Sequence, residues 1–243
     1  MKSYASFFRL VSACILAVTT AAIASAFEGK VEMKMTSSSG TGDMPLTYFL
    51  KGTHMRIEMA VPPDKHNKNG GTFATIMDMD RQEIIMLMPE QKMYMVHKIS
   101  EDQTAQANNK AEETDFKPTG RKETIAGFEA AEYIGTSNNG KRTELWVTKE
   151  LGKFMLANQG KGGPFGGKKG ATSGWEKFAA QENFFPLRTV TRAKEGAPED
   201  FRMEVTKIDK GAQADALFQP PADYQKFEIP SVGDMMKGMI PAH

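Results

Sequence analysis

Between Phe27 and Ile99 apolar and polar residues alternate with a period of two, the pattern of strands that bury one face and wet the other. Val31, Met33 and Met35 fall on one side and Lys30, Glu32 and Lys34 on the other; Met55, Ile57 and Met59 alternate in the same way with His54, Arg56 and Glu58. A strand over 46–50 and a turn at Lys51-Gly52 make these segments antiparallel neighbours. Val61-Pro62-Pro63 through Asn69-Gly70-Gly71 predicts a loop, because its prolines and glycines break both helix and ladder. Strands follow at 72–79, 83–88 and 92–99, with turns across Asp80-Arg81-Gln82 and Pro89-Glu90-Gln91. The stretch 100–119 has almost no apolar side chain and reads as a surface loop or a short solvated helix.

A second group of strands is predicted at 121–125, 128–136 and 143–148, with a turn at Ala126-Gly127 and a hairpin at Asn138-Asn139-Gly140. Leu151, Phe154 and Met155 share one side of a helical repeat, which predicts a helix over 149–158. The glycine-rich stretch 159–174 is read as a connecting loop. A short helix over 175–180 and a closing hairpin, 186–193 with 201–208, complete the regular structure before Pro220-Pro221. In the tail, 230–243, Val232, Met235, Met236 and Met239 recur at helical intervals and predict an amphipathic cap. The expected fold is therefore mainly β (α+β): a curved antiparallel meander sheet or half-barrel of about ten strands, with one to three helices covering its concave face.

The start of the chain changes the picture of where this sheet works. Lys2 and Arg9 precede an apolar run from Leu10 to Ile23, closed by Ala24-Ser25-Ala26, the order read by a signal peptidase. Residues 1–26 are expected to be a leader cleaved after Ala26, which makes the rest, 27–229 with its tail, one periplasmic or secreted domain. A lipoprotein cleavage box at Val11-Ser12-Ala13-Cys14 sits too early in the apolar run to be preferred. Loss of Lys2 and Arg9 leaves 29 basic against 30 acidic side chains in 217 residues, a balance unsuited to nucleic acid. Cys14, the only cysteine, leaves with the leader, so neither disulfides nor thiolate chemistry is expected. No second apolar run is long enough for an integral membrane anchor.

With these segments in view, the chain resembles a secreted bacterial family described only as a domain of unknown function, family 4412. The resemblance rests on Phe27-Glu28-Gly29-Lys30-Val31, Met55-Arg56-Ile57-Glu58, Pro89-Glu90-Gln91-Lys92-Met93-Tyr94, Ile125-Ala126-Gly127-Phe128 with Glu132-Tyr133, and Glu144-Leu145-Trp146-Val147. It continues through Phe185-Pro186-Leu187-Arg188 and Leu217-Phe218-Gln219-Pro220-Pro221. The architecture it implies is similar to that of the periplasmic lipoprotein carriers, a bent antiparallel sheet around an apolar cavity closed by helices. Fold likeness of this kind does not carry function by itself.

Methionine supplies the candidate chemistry, with 17 in the chain and most of them before residue 100. Its unbranched, polarizable side chain adapts to irregular apolar shapes. The expected ligand cavity is lined by Met33, Met35, Met55, Ile57, Met59, Met77, Met86, Met88, Met93, Met95 and Trp146. Leu151, Phe154, Met155, Met235, Met236 and Met239 are the candidate lid. Lipid or lipoprotein acyl chains are the expected ligands, with an envelope protein as a possible partner and no catalysis. The alternative is a ligand-free structural or interaction domain whose methionines fill a core. A third reading is soft-metal binding, since Met-x-Met pairs suit Cu(I); any methionine-rich strand generates the same spacing.

No cofactor or metal site is expected. His54, His66, His97 and His243 lie far apart without ligand spacing, and Asp78-Met79-Asp80 lacks the further acidic positions of a calcium loop and reads as a turn. The lysines of Gly160 to Gly170 miss the phosphate-loop order, and no nucleophile elbow is present.

Overall fold

The computed structural model describes residues 27–38, 43–61, 70–99, 113–152, 154 and 173–228. Among these residues twelve strands form one open, curved sheet. In chain order they are β1 (Glu28–Ser37), β2 (Met44–Lys51), β3 (His54–Val61), β4 (Gly71–Asp78), β5 (Glu83–Met88), β6 (Met93–Lys98), β7 (Thr114–Ile125), β8 (Phe128–Ser137), β9 (Arg142–Thr148), β10 (Phe185–Arg192), β11 (Glu199–Lys210) and β12 (Gln225–Lys226). The helix α1 (Gly174–Gln181) precedes β10. In space the order is β12-β6-β5-β4-β3-β2-β1-β11-β10-β9-β8-β7. Two meanders, β1 to β6 and β7 to β11, are thus joined side by side through β1 and β11, and only β12 runs parallel to its neighbour.

Turn chemistry sets the registers. Ala126 and Gly127 both take positive φ, 49° and 86°, the geometry of a two-residue hairpin turn whose twist matches its strands. At Asn138-Asn139-Gly140 the turn closes through Gly140 N donating to Ser137 O at 2.9 Å. Strand β7 begins at Thr114, inside the stretch expected to be a loop, and carries a bulge between Pro118 and Lys122. It is the sheet's edge and most of its residues are exposed, so its first half shows no apolar period.

Alternation gives the sheet two unlike faces. Val31, Met33, Met35, Leu46, Tyr48, Met55, Ile57, Met59, Leu145, Val147, Leu187, Met203 and Val205 belong to one buried cluster on what we call the core face. Helix α1 lies there, its start marked by Ser173, whose N–H and Oγ donate to Glu176 Oε2 at 2.8 and 2.9 Å. Phe178 of α1 stacks on Phe116 at 4.8 Å and meets Tyr133 at 5.3 Å. Gly135 makes this possible: a Cβ there would lie 2.7 Å from the Phe116 ring.

The outer face divides along its length. Over β7 to β11 it is a belt of ion pairs: Arg188 reaches Glu123 at 2.9 Å and Glu204 at 2.8 Å, and Arg192 reaches Glu144 and Glu199 at 2.9 and 3.0 Å. Over β4 to β6 it is apolar, with Ala74, Ile76, Ile85 and Leu87 packed under Phe218. The chain after β11 crosses this patch as a strap from Gly211 to β12.

The belt has an acid signature. The Arg188 hydrogen bond holds the Glu123 carboxyl below its ordinary value of 4.5. Burial pushes Glu204 up, but hydrogen bonds from Arg202 and Arg188 outweigh it and leave that carboxyl lowered as well. Groups with depressed folded-state pKa values stabilise the fold above the unfolded value, and that contribution is lost as pH falls through the folded one. We expect urea midpoints to drop as pH is taken below about 4.5, and Arg188→Gln to flatten that drop; an unchanged acid slope in the variant would show that the belt does not act this way.

Candidate functional site

The expected cavity residues separate into three groups. Met33, Met35, Met55, Ile57, Met59 and Met77 are all buried, none more than 5 % exposed, and they pack into the core with one another. Leu151 and Phe154, two of the candidate lid residues, cover this region and are themselves 2 % and 1 % exposed. The Phe154 ring meets Tyr48 at 5.5 Å, Phe185 at 5.3 Å and Trp175 at 5.8 Å. Residues Lys149 to Leu151 form a turn rather than the start of a helix, and Gly152 follows at φ +79°. Three-residue spacing of Leu151 and Phe154 is met here by a turn that drives both side chains into the core. Met155, Met235, Met236 and Met239 lie outside the described residues, as does the rest of the predicted 149–158 helix.

Burial in this region perturbs the polar groups it traps. It pushes the Tyr48 hydroxyl well above its usual range, and the nearby Glu176 carboxylate adds to the effect. Burial also raises Glu176, against the two hydrogen bonds it accepts from Ser173.

The second group is Met86, Met88, Met93 and Met95, which are only partly buried. Alternation with Ile85, Leu87, Tyr94 and Val96, all in the outer-face cluster, places them on the core face. Met86 stands directly opposite Met95, and Met88 directly opposite Met93. Of the four, Met86 packs against the main core. Phe73, on the same face of β4, is 41 % exposed and pairs in register with Met59. Among the described residues the apolar face is thus sealed beneath β1 to β3 and continues, half open, across β4 to β6.

Trp146 forms the third group alone. The strand turns it away from Leu145 and Val147, and its ring lies 5.7 Å from the Arg121 guanidinium and 6.0 Å from that of Arg188. Arg121 in turn makes a two-pronged ion pair with Glu132, a carboxylate only 1 % exposed that also accepts from Thr119 Oγ1 at 2.6 Å. Trp146 therefore sits under the charged belt, and at 8 % exposure it still belongs to the same buried cluster as the core methionines.

Sequence reasoning missed a concavity on the outer face. The strap is tied at one end by Lys51 Nζ, which donates to Gln213 O at 2.8 Å and Asp215 Oδ1 at 2.6 Å, and by Arg56, which donates to Leu217 O at 3.0 Å. At the other end Gln225 N donates to Lys92 O and Phe227 N to Tyr94 O, at 2.9 and 2.7 Å. Between these ties lies a cavity of about 650 Å³, lined among others by Lys51, His54, Asp78, Tyr94, Phe218 and Tyr224. The Asp215 hydrogen bond raises Lys51, and Lys51 lowers Asp215 in return. The readable signal was Leu217-Phe218 before Gln219-Pro220-Pro221: an apolar pair that must be buried, followed by residues that cannot continue a strand.

The family model described as a domain of unknown function, DUF4412, matches residues 27–224, nearly the whole described region. The chain belongs to the DUF4412 family. No curated protein sequence matches this DUF4412 chain. Among solved structures, an uncharacterized conserved protein from Thermus thermophilus shares 12 % identity over 84 % of this chain and 91 % of its own, with a TM-score of 0.47. MucB in the Pseudomonas aeruginosa MucA/MucB complex shares 11 % over 85 % of this chain and 60 % of its own, with a TM-score of 0.40. A LolA superfamily protein from Nitrosomonas europaea shares 11 % over 81 % and 91 %, with a TM-score of 0.31. These are likenesses of chain course alone. Among the described residues of this DUF4412 member, no helix is long and apolar enough to cross a membrane.

Phe154 provides a test of the sealed region. Phe154→Ala is expected to lower unfolding free energy by about 3–5 kcal/mol, measured by urea denaturation; a loss below about 1 kcal/mol would mean that the ring does not plug the core.

Proposed function

We propose that this DUF4412 protein is a non-catalytic binding module of the bacterial envelope, and that it holds an acyl chain against the half-buried methionines of β5 and β6. The observation that carries this reading is the cross-strand quartet of Met86 with Met95 and Met88 with Met93, partly exposed beside Phe73 while the methionines of β1 and β3 are buried. Thioether side chains repack around guests of varied length, and each methylene removed from water contributes about 0.8 kcal/mol. The predicted leader, 1–26, would deliver the domain to the periplasm, where acyl chains of lipids and lipoproteins are at hand. Near-complete burial beneath β1 to β3 favours a second reading, a ligand-free interaction domain.

The test uses the mature chain and a fluorescent sixteen-carbon fatty acid, with phospholipid vesicles and an acylated peptide as separate arms. Saturable binding that Met88→Asp or Met93→Asp weakens at least about tenfold supports the proposal; the arm that competes best identifies the source of the chain. Absence of binding in all arms, or binding indifferent to both substitutions, would leave the interaction-domain reading in its place.

A further inference from the structure

Register brings together what the sequence keeps apart. His54 opens β3 and Asp78 closes β4, and the two are directly paired across the ladder. The adjacent turns are locked by Met79 N donating to Thr53 O at 3.2 Å, which sets Asp80 beside them. One donor atom from each of His54, Asp78 and Asp80 lies within 4.8 Å of the others. His54 Nε2 and Asp78 Oδ2 are 3.6 Å apart. Donors each about 2.0–2.1 Å from a tetrahedral zinc stand about 3.3 Å from one another, so the His54–Asp78 pair must close by tenths of an ångström and Asp80, within 4.8 Å, by at most about 1.5 Å, which rotation of an exposed carboxylate supplies.

Three further features favour a cation over a plain turn. Asp78 is buried, yet its Oδ2 meets His54 Nε2 and Arg81 Nε only at 3.6 Å, beyond hydrogen-bond length. Both carboxylates are already oriented through one oxygen, Asp78 Oδ1 by Arg81 N at 2.9 Å and Asp80 Oδ2 by Thr53 Oγ1 at 2.8 Å, the outer contacts that aim metal ligands. His54 and Asp78 also line the cavity of about 650 Å³ beneath the strap. The cationic neighbours leave room: Lys51 is engaged by Asp215 at 2.6 Å, and the Arg81 side chain is 75 % exposed and free to swing outward.

We infer that His54, Asp78 and Asp80 form a binding site for a first-row divalent cation of the zinc class, with an open coordination position facing the strap cavity. One imidazole and two carboxylates are a mixed nitrogen and oxygen set, suited to zinc, cobalt or manganese and unlike the all-oxygen cage of calcium or the sulfur set of copper(I). Water, or a carboxylate or phosphate of a small molecule held in the cavity, completes the shell. The site is on the opposite face from the methionine quartet and does not depend on the acyl-chain reading.

The untagged mature chain is titrated with zinc in chelator-buffered solution by calorimetry, and with cobalt by visible absorption. The expected result is one equivalent of zinc, a cobalt spectrum of low-coordinate intensity, and at least about tenfold weaker binding in both His54→Ala and Asp80→Asn, with His97→Ala unchanged. Both substituted side chains are partly or fully exposed, and matching far-ultraviolet circular dichroism of each variant confirms that the fold persists. No saturable binding at micromolar metal, or binding that survives both substitutions, overturns the assignment.

Discussion

Everything in this molecule depends on β1 being paired on both sides. Its ladder with β2 extends the first meander and its ladder with β11 joins the second, so a single strand near the start of the chain holds the two halves as one sheet. The bulge between Glu32 and Met33 keeps Met33 and Met35 aligned with Val205 and Met203 on the core face. Without that join Met33 and Met35 would lose their cross-strand partners Val205 and Met203 on the core face. With it, α1, Phe154 and the turn before Gly152 close over a shared core.

The same two-sidedness explains where function can reside. A strand sends alternate residues to opposite faces, so the core-face methionines lie on one side of the sheet, with the charged belt and the strap-covered patch on the other. Beneath β1 to β3 the core face is filled by rings that touch one another, Tyr48, Phe154 and Phe185. Across β5 and β6 it carries flexible thioethers with partial exposure. The outer face is covered at one end by the strap and at the other by ion pairs, and its cavity forms where strap and strands part company between two sets of backbone ties.

Much of this architecture was legible because half-buried strands write a period of two into the chain. The strand over 83–88 and the Asn138-Asn139-Gly140 hairpin stand where the pattern puts them, and the helix expected at 175–180 is found as Gly174–Gln181. Legibility failed where the physics removes the period. The first half of β7 is exposed on an edge and bulged, so polar residues occupy both of its faces. Strand β12 has two residues, too few for any repeat. The spacing of Leu151 and Phe154 fits a helix and a buried turn equally well. For the sites, local pattern placed the methionines on one face without distinguishing the sealed part from the open part, since that depends on which ring covers them. The pairing of His54 with Asp78 exists only once β3 and β4 are in register.

The junction of β1 with β11 also constrains how the chain becomes this structure. Met33 must wait for Val205, so the first meander is synthesised, and on the predicted route carried across a membrane, long before the strand that completes it arrives. Loop-closure entropy over such a span makes assembly slow and leaves methionine-rich strands uncovered in the interval. A stop codon ahead of β11 would leave one side of β1 without its partner strand and yield an aggregating fragment in place of a smaller working domain.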